Sequence, residues 1–311
     1  MSPGTPTLRD SALFGAAFEQ LAAAIAKLVP QAREGGLDAR LTALEAALVQ
    51  LESLPDRVVP LGDRVLALTH FGQRIFLDVA DLGITPHIAM TGIWEAAVER
   101  LLRRMLQPGQ LVIEVGANVG YHTLVMAEAI GPGGHVHAFE AHPRTAALLA
   151  ATLAVNGLNP RVTIHAAAAL AIAGEVEFAE HPTHCGAFHL AAATTPVSFT
   201  RRIRVPCIVL DDVLDAGSGP VHLVRIDAEG SEPLALRGAA NIIARSPEIV
   251  LVTEWSPIMM GFHADVAGFA DWLLDQGFAA GRILPDSSLE PLHRDALVAA
   301  DHMDVVFRRY A

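Results

Sequence analysis

Two short stretches hold the residues best placed for chemistry. Leu111-Val-Ile-Glu114-Val-Gly116-Ala-Asn118-Val-Gly120-Tyr121 is an apolar strand running into a glycine turn, and His135-Val-His-Ala-Phe-Glu140 is a second strand ending in a lone carboxylate. This is the pattern of a nucleoside-binding α/β unit, with backbone N–H groups near the ligand at the turn and the acid on a ribose diol. A dinucleotide fingerprint starting at Gly116 would need glycine at 118 and Gly or Ala at 121, where the chain has Asn118 and Tyr121. The turn is therefore poorly suited to a pyrophosphate. The spacing Glu114-x-Gly116-x-Asn118-x-Gly120 suits S-adenosylmethionine, which has no phosphate and carries a charged amino-acid end.

Roles follow from position. Gly116 and Gly120 form a turn where a side chain would block approach of the ligand. Glu114 is expected to reach the cationic amino group of the methionine end, directly or through water, and Glu140 to accept both ribose hydroxyls. Further along, Val224-Arg-Ile-Asp227-Ala-Glu229-Gly230 and Val250-Leu-Val-Thr-Glu254-Trp255 place acids after apolar strands, where burial without a partner is costly. Asp227 is the candidate general base for an acceptor hydroxyl, with Glu254 beside it. The same pair offers oxygen ligands to a divalent cation, though two carboxylates make an incomplete site and no metal is expected. Glu229 is as suited to capping the next helix as to catalysis, and Asp227 or Ser231 is an alternative cap. His181-Pro-Thr-His184-Cys185-Gly-Ala-Phe-His189 matches no strong zinc spacing, and reads as a substrate-side lining in which His184 or His189 helps deprotonate an acceptor.

These residues need a scaffold, and the pattern around them supplies one. From Leu111 onward strand and helix signals alternate, which predicts a mainly parallel α/β domain; joined to the S-adenosylmethionine reading of the glycine turn, the expected fold is Rossmann-like, of the class I methyltransferase type. The expected sheet is seven-stranded and mainly parallel, at 111–116, 135–140, 162–167, 221–227, 249–254, 279–284 and 303–308. Helices are expected on both faces, at 119–130, 143–156, 232–244 and 264–276. An insertion between the third and fourth strands carries strand-like pieces at 174–178 and 203–208.

The division of the chain is 1–57, a helical arm; 58–107, a β-hairpin and helical adaptor; and 108–311, the cofactor-binding domain. Leu37, Leu41, Leu44, Leu48 and Leu51 alternate steps of four and three, the seam of a short coiled coil or helical hairpin. It packs either on its own domain or against a second copy as a homodimer.

Composition narrows the classes. With 52% hydrophobic and 18% charged residues the 311-residue chain can bury an ample core. A net charge of −12 argues against a nucleic-acid partner. Arg201, Arg202 and Arg204 form the one basic cluster, read as a solvated strand edge. Cys185 and Cys207 are too few for a disulfide framework and fit a reducing compartment. The apolar stretch Leu13–Val29 contains Glu19, Gln20 and Lys27, so neither a secretion signal nor a membrane span is expected, and the cytoplasm is the expected location.

Ile93-Trp94-Glu95, Glu114 to Tyr121, Ala138-Phe-Glu140, Leu210-Asp211-Asp212, Arg225-Ile-Asp-Ala-Glu-Gly230 and Leu236-Arg-Gly238 together resemble the FkbM-type S-adenosylmethionine-dependent methyltransferases. The resemblance runs from about Phe71 to Arg309. It implies O-methylation of a hydroxyl on a sugar, glycan or secondary metabolite. The chain departs from the family in two places. Ala166-Ala-Ala-Ala-Leu-Ala171 stands where many members have Asn-Ala-Ala-Leu-x-Asp, which leaves Ala167 and its neighbours to hold the adenine by backbone or packing. Arg225 replaces a common lysine, which keeps the charge and alters the geometry. A nicotinamide oxidoreductase on a similar fold and a non-catalytic scaffold are the alternatives; the residue at 118 weighs against the first, retention of Glu114, Gly116, Glu140 and Asp227 against the second.

Overall fold

The structure is a computed structural model that describes residues 58–181, 183–191, 201–214 and 216–309. The expected helical arm and its leucine seam lie outside the described residues.

Strands β1 (Val58–Pro60), β2 (Arg64–Leu68) and β3 (Arg74–Asp78) form an antiparallel sheet, one strand more than the expected hairpin. The main strands are β4 (Leu111–Val115), β5 (His135–Phe139) and β6 (Val162–His165). The insertion then supplies β7 (Ala168–Ala169), β8 (Gly174–Glu180), β9 (His189–Leu190) and β10 (Arg201–Ile208), which make a separate four-stranded sheet in the order β7-β10-β8-β9. The chain returns to the main sheet with β11 (Leu223–Ile226), β12 (Val250–Trp255), β13 (Phe278–Ile283), β14 (Leu289–Leu292) and β15 (Met303–Arg309).

The main sheet has eight strands rather than seven, in the order β14-β13-β15-β12-β11-β4-β5-β6. The added one is β14, an edge strand paired antiparallel with β13. Its Leu289-Glu-Pro-Leu292 is too short and too polar to register as a strand by periodicity. β4, β5, β6, β11 and β12 pair in parallel, while β15 runs antiparallel between β12 and β13. The expected third strand, 162–167, is cut at His165, and Ala168–Ala169 pairs with β10 of the insertion instead.

Alternation along β4 and β5 decides which layer each side chain joins. Val112, Val136 and Ala138 pack with Leu124, Leu149 and Leu153 of the helices Tyr121–Ala129 and Pro143–Val155. Ile113, Val115 and Phe139 face the opposite layer, with Leu236, Ile242 and Ile243. The expected helix 232–244 is two helices, Glu232–Arg237 and Ala240–Arg245. Between them, a Cβ on Gly238 would come within 2.3 Å of the Leu170 carbonyl oxygen.

The adaptor packs on the same core as the sheet. Ile75, Leu77, Ile88, Leu101 and Leu102 are buried in one cluster with Leu124 and Leu149. The Phe76 N–H donates to Thr152 Oγ1 at 3.0 Å and the Arg74 N–H to Asn156 Oδ1 at 2.9 Å, tying β3 to the helix Pro143–Val155 and its cap. The predicted helical stretch after Thr85 is broken at Gly92 into Ile84–Thr91 and Ala96–Met105.

Strand order reverses between β4 and β11: the chain steps outward through β5 and β6, then returns to the far side of β4. A crevice at the carboxyl ends of the strands opens at such a switch, and ligands of open α/β sheets bind there.

Candidate active site

A cavity of about 300 Å³ lies at this switch, lined by the ends of β4, β5, β11 and β12, by the insertion and by the adaptor. The glycine turn forms its floor. The N–H groups of Gly116 and Ala117 both donate to the Phe139 carbonyl, each at 3.0 Å, so the turn is fastened to β5. Gly116 has φ +78°, and a Cβ there would sit 1.7 Å from the Asp227 carbonyl oxygen. Gly120 has φ +97°, and its Cβ would lie 2.6 Å from Leu149 Cδ1. Gly116 lines the cavity and Gly120 does not; at each, a side chain would collide with a protein neighbour. Asn118 takes the left-handed conformation at φ +50°, with Oδ1 accepting the Val119 N–H at 2.8 Å.

Glu140 is almost fully buried and each of its oxygens takes one backbone bond, Oε1 from the His142 N–H and Oε2 from the Asn118 N–H, both 2.8 Å. A carboxylate oxygen has two lone pairs, so one on each remains for a diol. Burial pushes the acid up to about 7, against the pull of the two N–H groups. Next to it, Phe139, Ala167, Ala168, Ala169 and Phe178 give an apolar wall. Tyr121 also lines the cavity, with its hydroxyl donating to Glu99 Oε2 at 2.6 Å.

The opposite wall is acidic. Asp227, Glu229 and Glu254 all line the cavity, and a carboxylate oxygen from each lies within 4.8 Å of the others, close enough to share one cation. Arg225 holds Asp227 through Nη2 to Oδ2 at 2.9 Å and Glu95 through the same nitrogen at 3.1 Å. Burial raises the pKa of Asp227, with Arg225 pulling the other way. Burial and the neighbouring charges of Asp227 and Glu229 push Glu254 up to about 11. Glu229 rises to about 8 by burial and the charge of Asp227. Neither Asp227 nor Glu229 caps the next helix; Ser231 occupies its N-cap position, without a side-chain capping bond. Glu232 Oε1 accepts the Ala228 and Gly230 N–H groups, Ser231 donates to the Ala228 carbonyl, and Asp227 turns to Arg225.

Glu114 and His189, like Gly120, lie outside the cavity lining. Glu114 is fully buried and does not line the cavity; Thr123 Oγ1 donates to it and Arg225 Nη1 stands 3.6 Å from its Oε1. On β4 it shares the face of Val112, toward the helix Tyr121–Ala129 that carries Thr123. His189 is buried on β9 with Nδ1 3.0 Å from the Ala187 carbonyl oxygen, outside the cavity lining. His184, Cys185 and Phe188 line it instead. Arg201 and Arg202 form the expected strand edge, paired across the sheet with Glu180 and Glu177.

Trp94, Glu95, His122 and His302 also line the cavity. Sequence reasoning gave none of them a role. Trp94 and Glu95 stood in the resembling Ile93-Trp94-Glu95 block, but nothing in local spacing tied them to a strand end more than 100 residues away.

A Rossmann-like sheet with two antiparallel strands, β14 and β15, on its far side, a glycine turn, a buried carboxylate at the end of β5 and an acidic wall beyond the switch are the features of a class I methyltransferase fold. The methyltransferase FkbM domain profile matches residues 114–280, more than half of the chain, and the protein belongs to that family. Curated relatives match short stretches. The protein-L-isoaspartate O-methyltransferase of Hyperthermus butylicus is 41% identical over 66 residues, 19% of this chain and 27% of that protein. That of Ignicoccus hospitalis is 44% identical over 54 residues, 17% of this chain and 26% of that one. The chain thus spans about a quarter of the length of these relatives. Among solved structures, the O-methyltransferase TomG from Streptomyces achromogenes is 17% identical with a TM-score of 0.42, over 70% of this chain and 82% of that one. An O-methyltransferase from Thermotoga maritima is 14% identical with a TM-score of 0.39, over 82% and 86%. No described helix is long and apolar enough to cross a membrane.

Proposed function

We propose that the enzyme methylates a hydroxyl oxygen of a sugar, glycan or secondary metabolite, with Asp227 positioning and deprotonating that hydroxyl. The residues of the cavity fit the cofactor. Glu140 keeps an open lone pair on each oxygen for the ribose, and the Phe139 and Ala167–Ala169 wall suits a flat apolar ring. When bound, the cofactor supplies a methyl group already activated by positive sulfur.

The observation that carries the reading is the state of Asp227. Its Oδ2 is fixed by Arg225, leaving Oδ1 for the acceptor, and burial brings its pKa upward toward the range of an effective general base. Glu254, pushed up to about 11, has a carboxyl oxygen within 4.8 Å of one of Asp227. Alignment of acceptor and methyl within the cavity supplies the rest of the rate enhancement. Ile84, Ile88 and Trp94 of the adaptor and Phe188 of the insertion limit access of water.

Incubation with cofactor carrying a deuterated methyl group and a panel of hydroxylated sugars, glycans and metabolites tests this. The label is expected on oxygen; transfer to nitrogen or carbon alone overturns the reading. The acidic trio also has the composition of an oxygen-ligand cation site, so the same assay run with chelator distinguishes proton transfer from metal assistance.

A further inference from the structure

The methionine end of the cofactor carries an ammonium group, and the acid expected to meet it, Glu114, is sealed behind the turn. Glu95 is placed where Glu114 is not. It lies on the cavity wall, its side chain about one-third exposed at 30%, just ahead of the helix Ala96–Met105. Its Oε2 takes both protein contacts: His122 Nε2 at 2.8 Å and Arg225 Nη2 at 3.1 Å. No hydrogen bond occupies Oε1 among the described residues.

Glu95 is also the acid of the cavity best kept charged. Burial opposes its ionisation, but the His122 hydrogen bond and the Arg225 guanidinium outweigh it and hold the carboxyl well below the usual range. Glu140, Glu229 and Glu254 are shifted the other way. A fixed ammonium group is best met by an acid that is already ionised, because a charge-assisted hydrogen bond is then formed without a proton leaving. The backbone agrees. Glu95 adopts φ +44°, a left-handed conformation that costs a non-glycine residue about 1 kcal/mol or more and persists where surroundings enforce it.

The geometry points to Glu95 Oε1 as the acceptor for the cofactor's α-ammonium group, with His122 and Arg225 as the residues that aim it. This rests on the cofactor occupying the cavity as proposed above, with its ribose on Glu140. The adaptor then completes the cofactor seat, supplying from outside the sheet the contact that the strand-end acid Glu114 cannot make.

Two ligands separate this from a structural role: S-adenosylhomocysteine, which has the ammonium group, and 5′-methylthioadenosine, which lacks the whole amino-acid end. Calorimetry on the full chain should show Glu95→Gln weakening the first by about tenfold to a hundredfold, with the second changed less than about twofold. Glu95→Asp, which keeps the charge on a shorter arm, should fall between wild type and Glu95→Gln; it supplies the test if the amide variant fails to fold. Equal loss for both ligands, or no loss for either, overturns the assignment. Wild-type protein that binds neither ligand overturns the cofactor seat itself, a result separate from any change on mutation.

Discussion

The two walls of the cavity are built by different means. The wall on the β5 side is made of backbone: Glu140 is positioned by the N–H groups of Asn118 and His142, and the turn is fastened to the Phe139 carbonyl. All of this comes from one run of chain, Glu114 to His142. The wall on the β11 side is made of charge. Asp227, Glu229 and Glu254 come from two strand ends, Arg225 from within β11, and Glu95 and His122 from the adaptor and the first turn of a helix. Backbone contacts fix a shape whether or not a ligand is present. Crowded carboxylates instead hold groups away from their ordinary protonation states, at some cost in stability, which suits reaction more than recognition. The comparison assigns recognition of the ribose to the first wall, and the reaction, together with the ammonium contact of Glu95, to the second.

The strongest break in that comparison is Asp227→Asn. It should lower turnover by about 10²–10⁴-fold while leaving cofactor affinity and the thermal melt near wild type. Turnover like that of wild type would move the base elsewhere on the acidic wall. Gly116→Ala strikes where the walls meet, because the added Cβ collides with the Asp227 carbonyl at a positive φ. A loss of about 3 kcal/mol or more of stability is expected in denaturant unfolding; a loss under 1 kcal/mol, on the order of a tolerated substitution, would mean the contact relaxes freely.

A smaller effect sharpens the charge argument. Glu254 has a folded pKa near 11 against an unfolded value of 4.5, so the folded protein holds a proton that the unfolded chain releases. Unfolding therefore gains favour as pH rises above 4.5, and this acid costs stability through the neutral range. Glu254→Gln should raise Tm at pH 8, by about 2–4 °C for each kcal/mol recovered, and change little near pH 4. An unchanged Tm at pH 8 would show that the wall is not strained by charge. The smallest expected effect is that of chelator. Proton transfer by Asp227 predicts unchanged turnover in EDTA, whereas loss restored by magnesium would convert the acidic trio into a metal site.

The contrast between the walls also explains what could be read from the chain. Gly116, Asn118, Gly120 and Glu140 were legible because strand, turn and acid follow one another within 30 residues, and periodicity plus turn chemistry describes such a run. Asp227 and Glu254 were legible as acids at strand ends. Glu229 joining them was not, since only the register of β11 beside β12 brings the carboxylates together. Glu114 misled because the sequence shows that an acid ends an apolar strand but not that Thr123 and Arg225 lie over it. His189 misled for a similar reason: the order of β8 and β9 in the insertion sheet turns it away from the cavity. All seven expected main-sheet strands were placed within about two residues, and the early end of the third at His165 depends on β10 capturing Ala168 and Ala169, a long-range pairing.

The most direct test of the division between walls is calorimetric titration of wild type, Glu140→Ala and Asp227→Asn with S-adenosylhomocysteine and with NAD. Wild type should bind the first and show little affinity for the second. Glu140→Ala should lose roughly 1.5–3 kcal/mol of affinity and Asp227→Asn almost none. Equal losses in the two variants, or a preference for NAD, would contradict the account.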